Sequence, residues 1–523
     1  MSARKIFFFL LILFIITGFL TIGHSVYWGI FLVLTTPLII IGLWDISQKK
    51  HAIRRNFPIV GHFRYLLESI RPEINQYFVE SNSNGVPFSR EGRSLVYQRA
   101  KKQLDTLPFG TQIDVYEKGY EYLAHSMYPG HFELSDLRTR IGNYDCSIIN
   151  ISAMSFGSLS TRAIQSLNQA AKLGKFAHNT GEGGISPYHK EGGDLIWQIG
   201  TGYFGCRTPE GQFCEKKFEK VASLDQVKMI EIKISQGAKP GHGGILPKEK
   251  LTEEIAEIRG VPMGQDVLSP PGHSAFDNSK ELLEFIVKLK KLCQKPVGIK
   301  LCLGRRAEFL ELCHSMLSNA ITPDFIAIDG GEGGTGAAPL EFSNHLGQPG
   351  LDSLVFVDRV LTQIGLRDQL KLISSGKIIS GFDVIKRLAL GADAIYMARS
   401  MMLALGCIQA LRCNSNACPA GVATQDPDLV VGLDVPSKAE RVFNYHHETL
   451  ESTAHLLGAM GISKIDQLHP GLIKKRVDLL KVISYRELID QNAQFNFKIN
   501  SETTRLGELW GMIQSGQWAK QAQ

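Results

Sequence analysis

Three closely spaced cysteines are the residues of this sequence whose type and spacing point most directly to chemistry. Cys407, Cys413 and Cys418 lie six and five positions apart, and Pro419 directly follows the last of them. Thiolates at this spacing, in a loop punctuated by Gly, Asn and Pro, can converge on one soft metal centre. A proline after the last cysteine is also found in iron–sulfur loops. The pattern therefore predicts an iron–sulfur centre.

The two alternatives for these cysteines are a zinc site and burial in the core. Zinc is disfavoured because no fourth Cys or His lies nearby, and His446 and His447 are well downstream. Free cysteines are also common core residues. That interpretation stays open for Cys407, on an apolar helix-like run, and is weaker for Cys413 and Cys418, whose neighbours are polar.

Eight short apolar runs alternate with amphipathic segments, and these are the elements that must position the cysteines. This alternation predicts a parallel (β/α)8 barrel, a TIM barrel of the α/β class. Helices are predicted between the runs, including Thr161–Leu173, Thr252–Arg259 and Lys280–Leu292. The eight runs are Ser147–Ala153, Lys175–Asn179, Asp194–Ile199, Met229–Ile234, Val297–Leu301, Asp324–Ile328, Leu370–Ser374 and Ala392–Ala398.

Glycine-rich segments follow the second, fourth and sixth runs, at 179–184, 235–244 and 329–336. A single cluster could simply need positive φ, but three at alternate strand ends suggest that backbone amides approach a ligand. The last two runs end in 374–377 and 397–400. Loops at these places in a barrel often bind phosphate, which favours FMN as the ligand.

Several charged residues also fall in these loops. Lys239 stands out because a flexible Gly/Pro loop gives a lysine little packing reason to be there. Lys300 could instead end a strand as an ion pair, and Arg259 could be an exposed helix residue. The charged set is Glu182, Lys239, His242, Arg259, Lys300 and Glu332.

Two apolar runs, Ile6–Ile22 and Val26–Trp44, precede the barrel and are long enough to span a bilayer. A signal peptide is the alternative for the first run, but a persuasive cleavage site is lacking. Basic residues flank the pair on both outer sides, and the loop Gly23-His24-Ser25 carries none. The sequence therefore predicts a two-helix, multi-pass membrane hairpin with both ends, and the catalytic domain, in the cytoplasm.

The predicted domains are the hairpin (1–46), an adaptor (47–144), the barrel with its cysteine loop (145–430) and a helical extension (431–523). In the adaptor, Phe63–Ile70 and Glu73–Glu80 predict two helices broken at Pro72. Hydrophobic residues make up 44% of the 523, which predicts a well-cored protein. The net charge of +6 is concentrated near the hairpin and does not indicate nucleic acid, and nine Cys do not suggest a secreted disulfide scaffold.

From about Ser147 onward the sequence resembles the synthase domain of glutamate synthases, and is most similar to a stand-alone, membrane-anchored branch of that family. The resemblance covers all three cysteine positions and the Cys-Pro-Ala-Gly-Val-Ala-Thr-Gln segment at 418–425. It implies an FMN-binding barrel with a 3Fe–4S cluster on Cys407, Cys413 and Cys418, beside the flavin.

The resemblance also implies roles for individual residues. Lys239 and Arg259 would contact the two carboxylates of 2-oxoglutarate, and Glu182 would complete the catalytic set. The segment 153–160, with Met154, Ser155 and Gly157, would lie along the flavin ring. The remaining cofactor contacts would be Lys300, Gly333, Gly334, Gly376, Lys377, Ala398 and Arg399.

The sequence departs from the family in two respects. The family's Gly-Glu-Gly-Gly-Gln-Leu-Pro is here Gly-His-Gly-Gly-Ile-Leu-Pro, at 241–247. We also expect no glutaminase domain and no NAD(P)H-binding domain.

The sequence is compatible with three functions. The leading one is reductive amination of 2-oxoglutarate, with free or glutamine-derived ammonia and electrons from a donor such as ferredoxin or a separate reductase. The others are a flavin dehydrogenase for another 2-oxo or 2-hydroxy acid, and a membrane-anchored electron-transfer module.

Overall fold

The structure is a computed structural model that describes residues 3–23, 27–495 and 504–518. The chain divides into two compact units, residues 1–85 and 86–523. The predicted loop residues His24 and Ser25, and Val26 at the start of the second predicted span, lie outside the described residues.

The first unit is helical. The Phe7 ring packs directly on Gly42, where any Cβ would overlap it, and this contact brings the first two helices together. The helix break predicted at Pro72 is wrong, because α4 continues through Pro72 and passes directly into a π-helical turn, Asn75–Val79. The helices are α1 (Ala3–Gly23), α2 (Trp28–Ser47), α3 (Ala52–Asn56) and α4 (Gly61–Ile74).

In the second unit, the β2–β3 hairpin closes the bottom of the barrel. The β2–β3 hairpin contributes Ile141 and Cys146 to a core cluster inside the barrel, together with Phe325 and Tyr396. This apolar plug seals one end, so the polar groups collect at the other. The first elements are α5 (Arg90–Ala100), β1 (Glu121–Leu123), β2 (Arg138–Ile141) and β3 (Tyr144–Ser147).

Eight parallel strands close into a barrel, which confirms the predicted fold class. Their residues are almost all buried, because helices cover the outer face and side chains fill the interior. Each strand falls on or beside one of the eight predicted runs. The strands are β4 (Ile149–Ile151), β5 (His178–Asn179), β6 (Leu195–Ile199), β7 (Val227–Lys233), β10 (Val297–Cys302), β11 (Phe325–Asp329), β12 (Lys371–Ser374) and β13 (Ala394–Met397).

The connections between strands carry the expected helices and one small ribbon, β8 (Ile245–Leu246) with β9 (Val267–Leu268). Ser160 caps α6 by accepting a hydrogen bond from the Ala163 N–H, as a Ser-rich helix start suggests. The helices are α6 (Thr161–Gly174), α7 (Glu215–Ala222), α8 (Glu253–Arg259), α9 (Ser279–Cys293), α10 (Arg306–Asn319), α11 (Leu340–His345), α12 (Gly350–Gln363), α13 (Gly381–Ala389) and α14 (Arg399–Leu405).

The C-terminal segment contains the predicted helices and also two strands that the sequence did not predict. These strands, β14 and β15, form an antiparallel sheet with β1 and so join the C-terminal segment to residues 121–123. The elements are α15 (Pro427–Val430), α16 (Val435–Ala459), β14 (Ile473–Arg476), β15 (Val482–Ser484), α17 (Tyr485–Gln491) and α18 (Arg505–Gln514).

Candidate functional site

A cavity of about 630 Å³ opens at the carboxyl ends of the barrel strands. This is the end at which barrel enzymes carry their active sites. Most of the sequence-predicted site residues line it, namely Met154, Ser155, Glu182, Lys239, Arg259, Lys300, Gly333, Gly334, Gly376, Lys377, Ala398, Arg399 and Cys413.

Three predicted residues, Gly157, Cys407 and Cys418, do not line the cavity. Gly157 lies behind the wall with φ of +98°, and a Cβ there would be 3.1 Å from Arg259 Nη2. Its role in this structure is therefore to leave room for Arg259.

A buried carboxylate that sequence reasoning missed, Glu231, organises the floor of the cavity. It accepts hydrogen bonds from Asn179 Nδ2 at 2.9 Å, Gln198 Nε2 at 2.6 Å and the Tyr396 hydroxyl at 2.9 Å. Gln198 and Tyr396 line the cavity themselves. Four strands thus share one hydrogen-bonded network, which fixes the floor.

Glu182 and Lys233 form a close ion pair in the cavity wall, with 2.6 Å between Lys233 Nζ and Glu182 Oε1. Burial alone would raise the pKa of Glu182, but the Lys233 ammonium, helped by Lys239 and Arg259, holds that pKa below its usual value. Glu182 is therefore ionised at neutral pH.

Sequence reasoning also missed Lys233. A signal was present, because Glu231 and Lys233 stand two positions apart in the otherwise apolar run Met229–Ile234. Residues at this spacing share one face of a strand, so both had to point into the barrel.

Lys239 is almost fully buried, and its Nζ donates a hydrogen bond of 2.8 Å to the Ala337 carbonyl oxygen. Burial, and then the nearby Lys233, lower the pKa of Lys239 to about 8, although Glu182 acts in the opposite direction. An ammonium has three donors, so this group can also bind an anion in the cavity.

Arg259, in the last turn of α8, brings a second buried cation to the cavity. Its Nη2 donates to the Phe156 carbonyl oxygen at 3.0 Å, and its guanidinium lies 5.2 Å from the Phe204 ring centre. Its buried Nε has no hydrogen-bond partner among the described residues. Burial lowers its pKa to about 10, with Glu182 opposing. A buried donor of this kind is suited to an anionic ligand.

Lys300 lies within β10, lines the cavity and also forms an ion pair, as the alternative interpretation of this residue suggested. Its Nζ lies 3.4 Å from Asp329 Oδ2. Asp329 in turn accepts from the Ser375 hydroxyl at 2.7 Å and from the Gly237 N–H at 3.1 Å. Burial opposes the charge on Lys300, but Asp329 raises its pKa above the usual value.

The loops after β12 and β13 offer a site of the right kind for a phosphate. Gly376 has φ of +106°, and a Cβ there would lie 2.8 Å from Glu332 Oε1, so only glycine fits without strain. Gly334 lies against Arg399 in the same way. Backbone amides in these loops, with the side chains of Lys377 and Arg399 nearby, form a cationic rim.

The cysteine loop begins earlier than the sequence suggested. The apolar, helix-like run that the sequence suggested around Cys407 forms a helix only as far as Leu405, because Gly406 adopts φ of +119° and terminates it. Cys407 is therefore in the loop and not in a helix. The loop then bends through two further left-handed residues, Gln409 and Leu411.

Contacts from other elements hold this loop in place. The Tyr97 hydroxyl donates to the Cys407 carbonyl oxygen at 2.7 Å. Lys250, itself buried, donates through Nζ to the carbonyl oxygens of Cys413 at 3.2 Å and of Ser158 at 2.7 Å. Lys250 thus joins the cysteine loop to the loop after the first barrel strand.

The three thiols lie close enough to influence one another. Burial raises the pKa of Cys407 to about 11, and Cys413 and Cys418 add to the effect. Within the described residues, no group of three or more His, Cys, Asp or Glu side chains stands close enough to hold a metal ion as placed. The donor set, three thiols in one loop beside a buried ammonium, is of the kind that iron–sulfur clusters use.

Comparison with known proteins adds to this geometry. The family model for the conserved region in glutamate synthase matches residues 142–463 of this chain. The glutamate synthase large subunit-like protein YerD of Bacillus subtilis is 39% identical over 467 residues, which cover 80% of this chain and 89% of that protein. An archaeal-type glutamate synthase [NADPH] of Thermotoga neapolitana is 37% identical over 324 residues, or 61% of this chain and 60% of that protein.

Among solved structures, a mutant flavocytochrome b2 with pyruvate bound aligns with a TM-score of 0.43 and 14% identity, covering 79% of this chain and 85% of that one. The family region spans more than half of the chain, and a 39% identical relative covers 80% of it. The chain therefore belongs to the glutamate synthase family of oxidoreductases.

Proposed function

We propose that this protein is an FMN- and iron–sulfur-dependent, glutamate-synthase-like oxidoreductase that reductively aminates 2-oxoglutarate to L-glutamate. The observation that carries the proposal is a pair of buried cations, Lys239 and Arg259, in the wall of a cavity that Gly376, Ala398 and Cys413 also line. Ammonia comes from solution or from glutamine, and electrons come from ferredoxin or a separate reductase. Residues 145–430 are the proposed catalytic segment.

The cavity fits FMN by size and by donor set. Its volume lies within the range of cofactor pockets. We assign the phosphate to the amides of 375–377 and 398–400 with Lys377 and Arg399, and the ring to the side of Met154, Ser155 and Lys300. FMN, when bound, supplies the hydride, and a three-iron cluster on Cys407, Cys413 and Cys418 supplies its electrons.

The chain's own residues bind and orient the substrate. Lys239 and Arg259 each offer a charged donor to one carboxylate of 2-oxoglutarate, which holds the oxo carbon between them. Glu182 is ionised and presents an acceptor oxygen to the substrate nitrogen, and Lys233 fixes that oxygen in place. The Glu231 network keeps the floor rigid beneath these groups.

One observation favours a second candidate, a flavin dehydrogenase for a different 2-oxo or 2-hydroxy acid. Ile245 lines the cavity and presents an apolar side chain there. An apolar wall selects for an apolar substituent on the substrate, because a charged one would lose its hydration without a partner.

The deciding experiment uses dithionite-reduced protein under anaerobic conditions. Adding 2-oxoglutarate with ammonia should reoxidise the flavin, seen by absorbance, and form L-glutamate. Reoxidation only by a more apolar oxo acid would favour the second candidate. No response to any oxo acid would favour an electron-transfer module.

The cluster is tested separately from the substrate. Protein prepared without oxygen should contain about three iron atoms per chain, and Cys413→Ser should lose them while keeping FMN. Iron-free wild-type protein would overturn the cluster, and recovery of FAD or of no flavin would overturn the FMN assignment.

We also propose that α1 and α2 cross a membrane as a hairpin, with the catalytic unit in the cytoplasm. Both are long and apolar enough to do so by length and composition. The hydroxyls of Thr17, Thr21, Thr35 and Thr36 donate to carbonyls of their own helices, which suits an environment without water. Deleting residues 1–46 should release the protein from membranes, and a full-length protein that is soluble without detergent would contradict the proposal.

A further inference from the structure

Helix α4, which follows the apolar hairpin, exposes an apolar face. The apolar residues of this face recur at helical spacing and so line one side of the helix. Their exposed fractions are 62% for Phe63, 52% for Leu66, 47% for Leu67, 40% for Ile70 and 38% for Ile74. Tyr77, Phe78 and Val79 continue the exposed apolar surface into the π-helical turn. A face this long on the surface of a folded unit indicates a binding partner.

The opposite side of α4 is already used by the protein. Tyr65 packs on α3 and the residue before it, with its ring 5.3 Å from the His51 ring and 4.4 Å from the Arg54 guanidinium carbon. Gly61 lies so close to α3 that a Cβ there would be 3.0 Å from Arg54 Cα. The helix is thus held on its polar side, which leaves the apolar side turned away from α3.

Basic residues border the apolar face. Arg64 and Arg71 are seven residues apart, about two helical turns, and so lie above one another along one edge of it. Lys49, Lys50 and Arg55 add three exposed cations just before α4. Arginines at the edge of an apolar face are typical of helices that lie in the headgroup layer of a bilayer, where guanidinium groups bind lipid phosphates.

The start of α4 is tied to the end of α2. Asp45, in the last turn of α2, is fully buried. Its carboxylate lies 2.8 Å from His62 Nε2 and accepts a hydrogen bond of 2.9 Å from the Ile59 N–H. These contacts fix the first turn of α4 at the level where the apolar part of α2 ends.

We propose that α4 lies in the interface of an anionic bilayer, with Phe63, Leu67 and Ile70 among the acyl chains and Arg64 and Arg71 at the lipid phosphates. The proposal rests on the proposed membrane hairpin, because Asp45 places α4 at the end of the second span. It assigns to the protein a membrane-surface element in addition to its two spans.

The test uses full-length protein in vesicles of phosphatidylcholine and phosphatidylglycerol. Photoreactive benzoylphenylalanine replaces Leu67 on the apolar face or Ser69, which is also exposed but lies on another side of α4. A third variant carries it at Phe19, within α1, to report on the hairpin. Phospholipid adducts are counted by mass spectrometry after irradiation.

We expect about tenfold more phospholipid adduct at Leu67 than at Ser69, because only the apolar face enters the interface. We also expect more adduct at Leu67 with phosphatidylglycerol than without it, and R64Q with R71Q should remove that difference. Equal yields at Leu67 and Ser69 would overturn the proposal. So would cross-links from Leu67 to residues 86–523, since the catalytic unit would then cover the face.

The variant with benzoylphenylalanine at position 19 tests the hairpin independently of α4. An adduct at Leu67 without one at Phe19 would keep the surface helix and overturn the hairpin. An adduct at Phe19 with none at Leu67 would keep the hairpin and overturn the surface helix.

Discussion

Lys233 Nζ lies 2.6 Å from Glu182 Oε1, so two residues of the cavity wall form a close ion pair with each other. Because Lys233 neutralises Glu182, the positive charges of Lys239 and Arg259 remain available for a ligand. The net positive charge of these four groups therefore favours an anionic ligand in the cavity.

Replacing Lys239 by Met should weaken 2-oxoglutarate binding while FMN and iron are retained. A charge-assisted contact contributes about 1.5–3 kcal/mol, so the apparent Kd should rise roughly ten- to a hundredfold. A titration of flavin absorbance measures this, and Arg259→Met should act in the same direction. Lys248→Met, at an exposed lysine, is the control. Equal affinity in Lys239→Met and wild type would remove Lys239 from the site.

The affinity for 2-oxoglutarate should fall as the pH rises through 8. The pKa of Lys239 is lowered to about 8, so its cation is present below that pH and is lost above it. Above pH 8 the affinity should fall by up to about tenfold per pH unit and then level off at the loss expected for Lys239→Met. Lys239→Arg keeps its charge and should show a flat profile between about pH 7 and pH 9. A decline in Lys239→Arg equal to that of wild type would assign the effect to another group.

Lys250→Met should lower the iron content and leave the flavin content unchanged. The Lys250 ammonium is hydrogen-bonded to the carbonyl oxygens of Ser158 and Cys413, and its charge lies beside the thiols. Losing it should also shift the cluster's midpoint potential to a more negative value, because a nearby positive charge favours the reduced form. Lys250→Arg should restore part of both properties. Lys248→Met, two residues earlier and exposed, should alter neither.

Gly376→Ala should reduce FMN binding. The new Cβ would lie 2.8 Å from Glu332 Oε1, and the alanine would have to adopt φ of +106°, which side chains disfavour. Gly365→Ala separates these two effects, because Gly365 also has positive φ, +74°, but no atom within 4 Å of its Cβ position. Flavin fluorescence after denaturation gives the bound fraction. Equal FMN content in the two variants would mean that the 375–377 loop is not the phosphate site.

The barrel could be predicted from the sequence, because each strand is buried on both faces and therefore appears as an apolar run. Most of the cavity wall could be predicted with it. Gly376 and Lys239 were expected near the cavity for a related reason, since each lies in a loop that follows such a run, whereas Cys413 was singled out by its spacing from Cys407 and Cys418. Lys233 and Glu231 were not predicted, because a charged residue within a strand looks like an exposed position until its two-residue spacing is considered.

The strands β14 and β15 were missed for a different reason. Ile473–Arg476 contains three consecutive basic residues and reads as a solvated loop. Its strand character comes from pairing with β1, which lies far away in the sequence, and no local pattern reports such a partner.

The sheet of β1, β14 and β15 also sets an order of events during synthesis. The Tyr485 hydroxyl donates to the Glu121 carboxylate across a separation of 364 residues, and Leu123 pairs with Ile473. Neither contact can form until nearly the whole chain has left the ribosome, whereas α1 and α2 emerge first. During translation, residues 121–123 therefore remain unpaired until residues 473–475 have been synthesised, after the barrel. A chain that stops before residue 473 would lack β14, so the edge of β1 would stay unpaired and could associate with other chains.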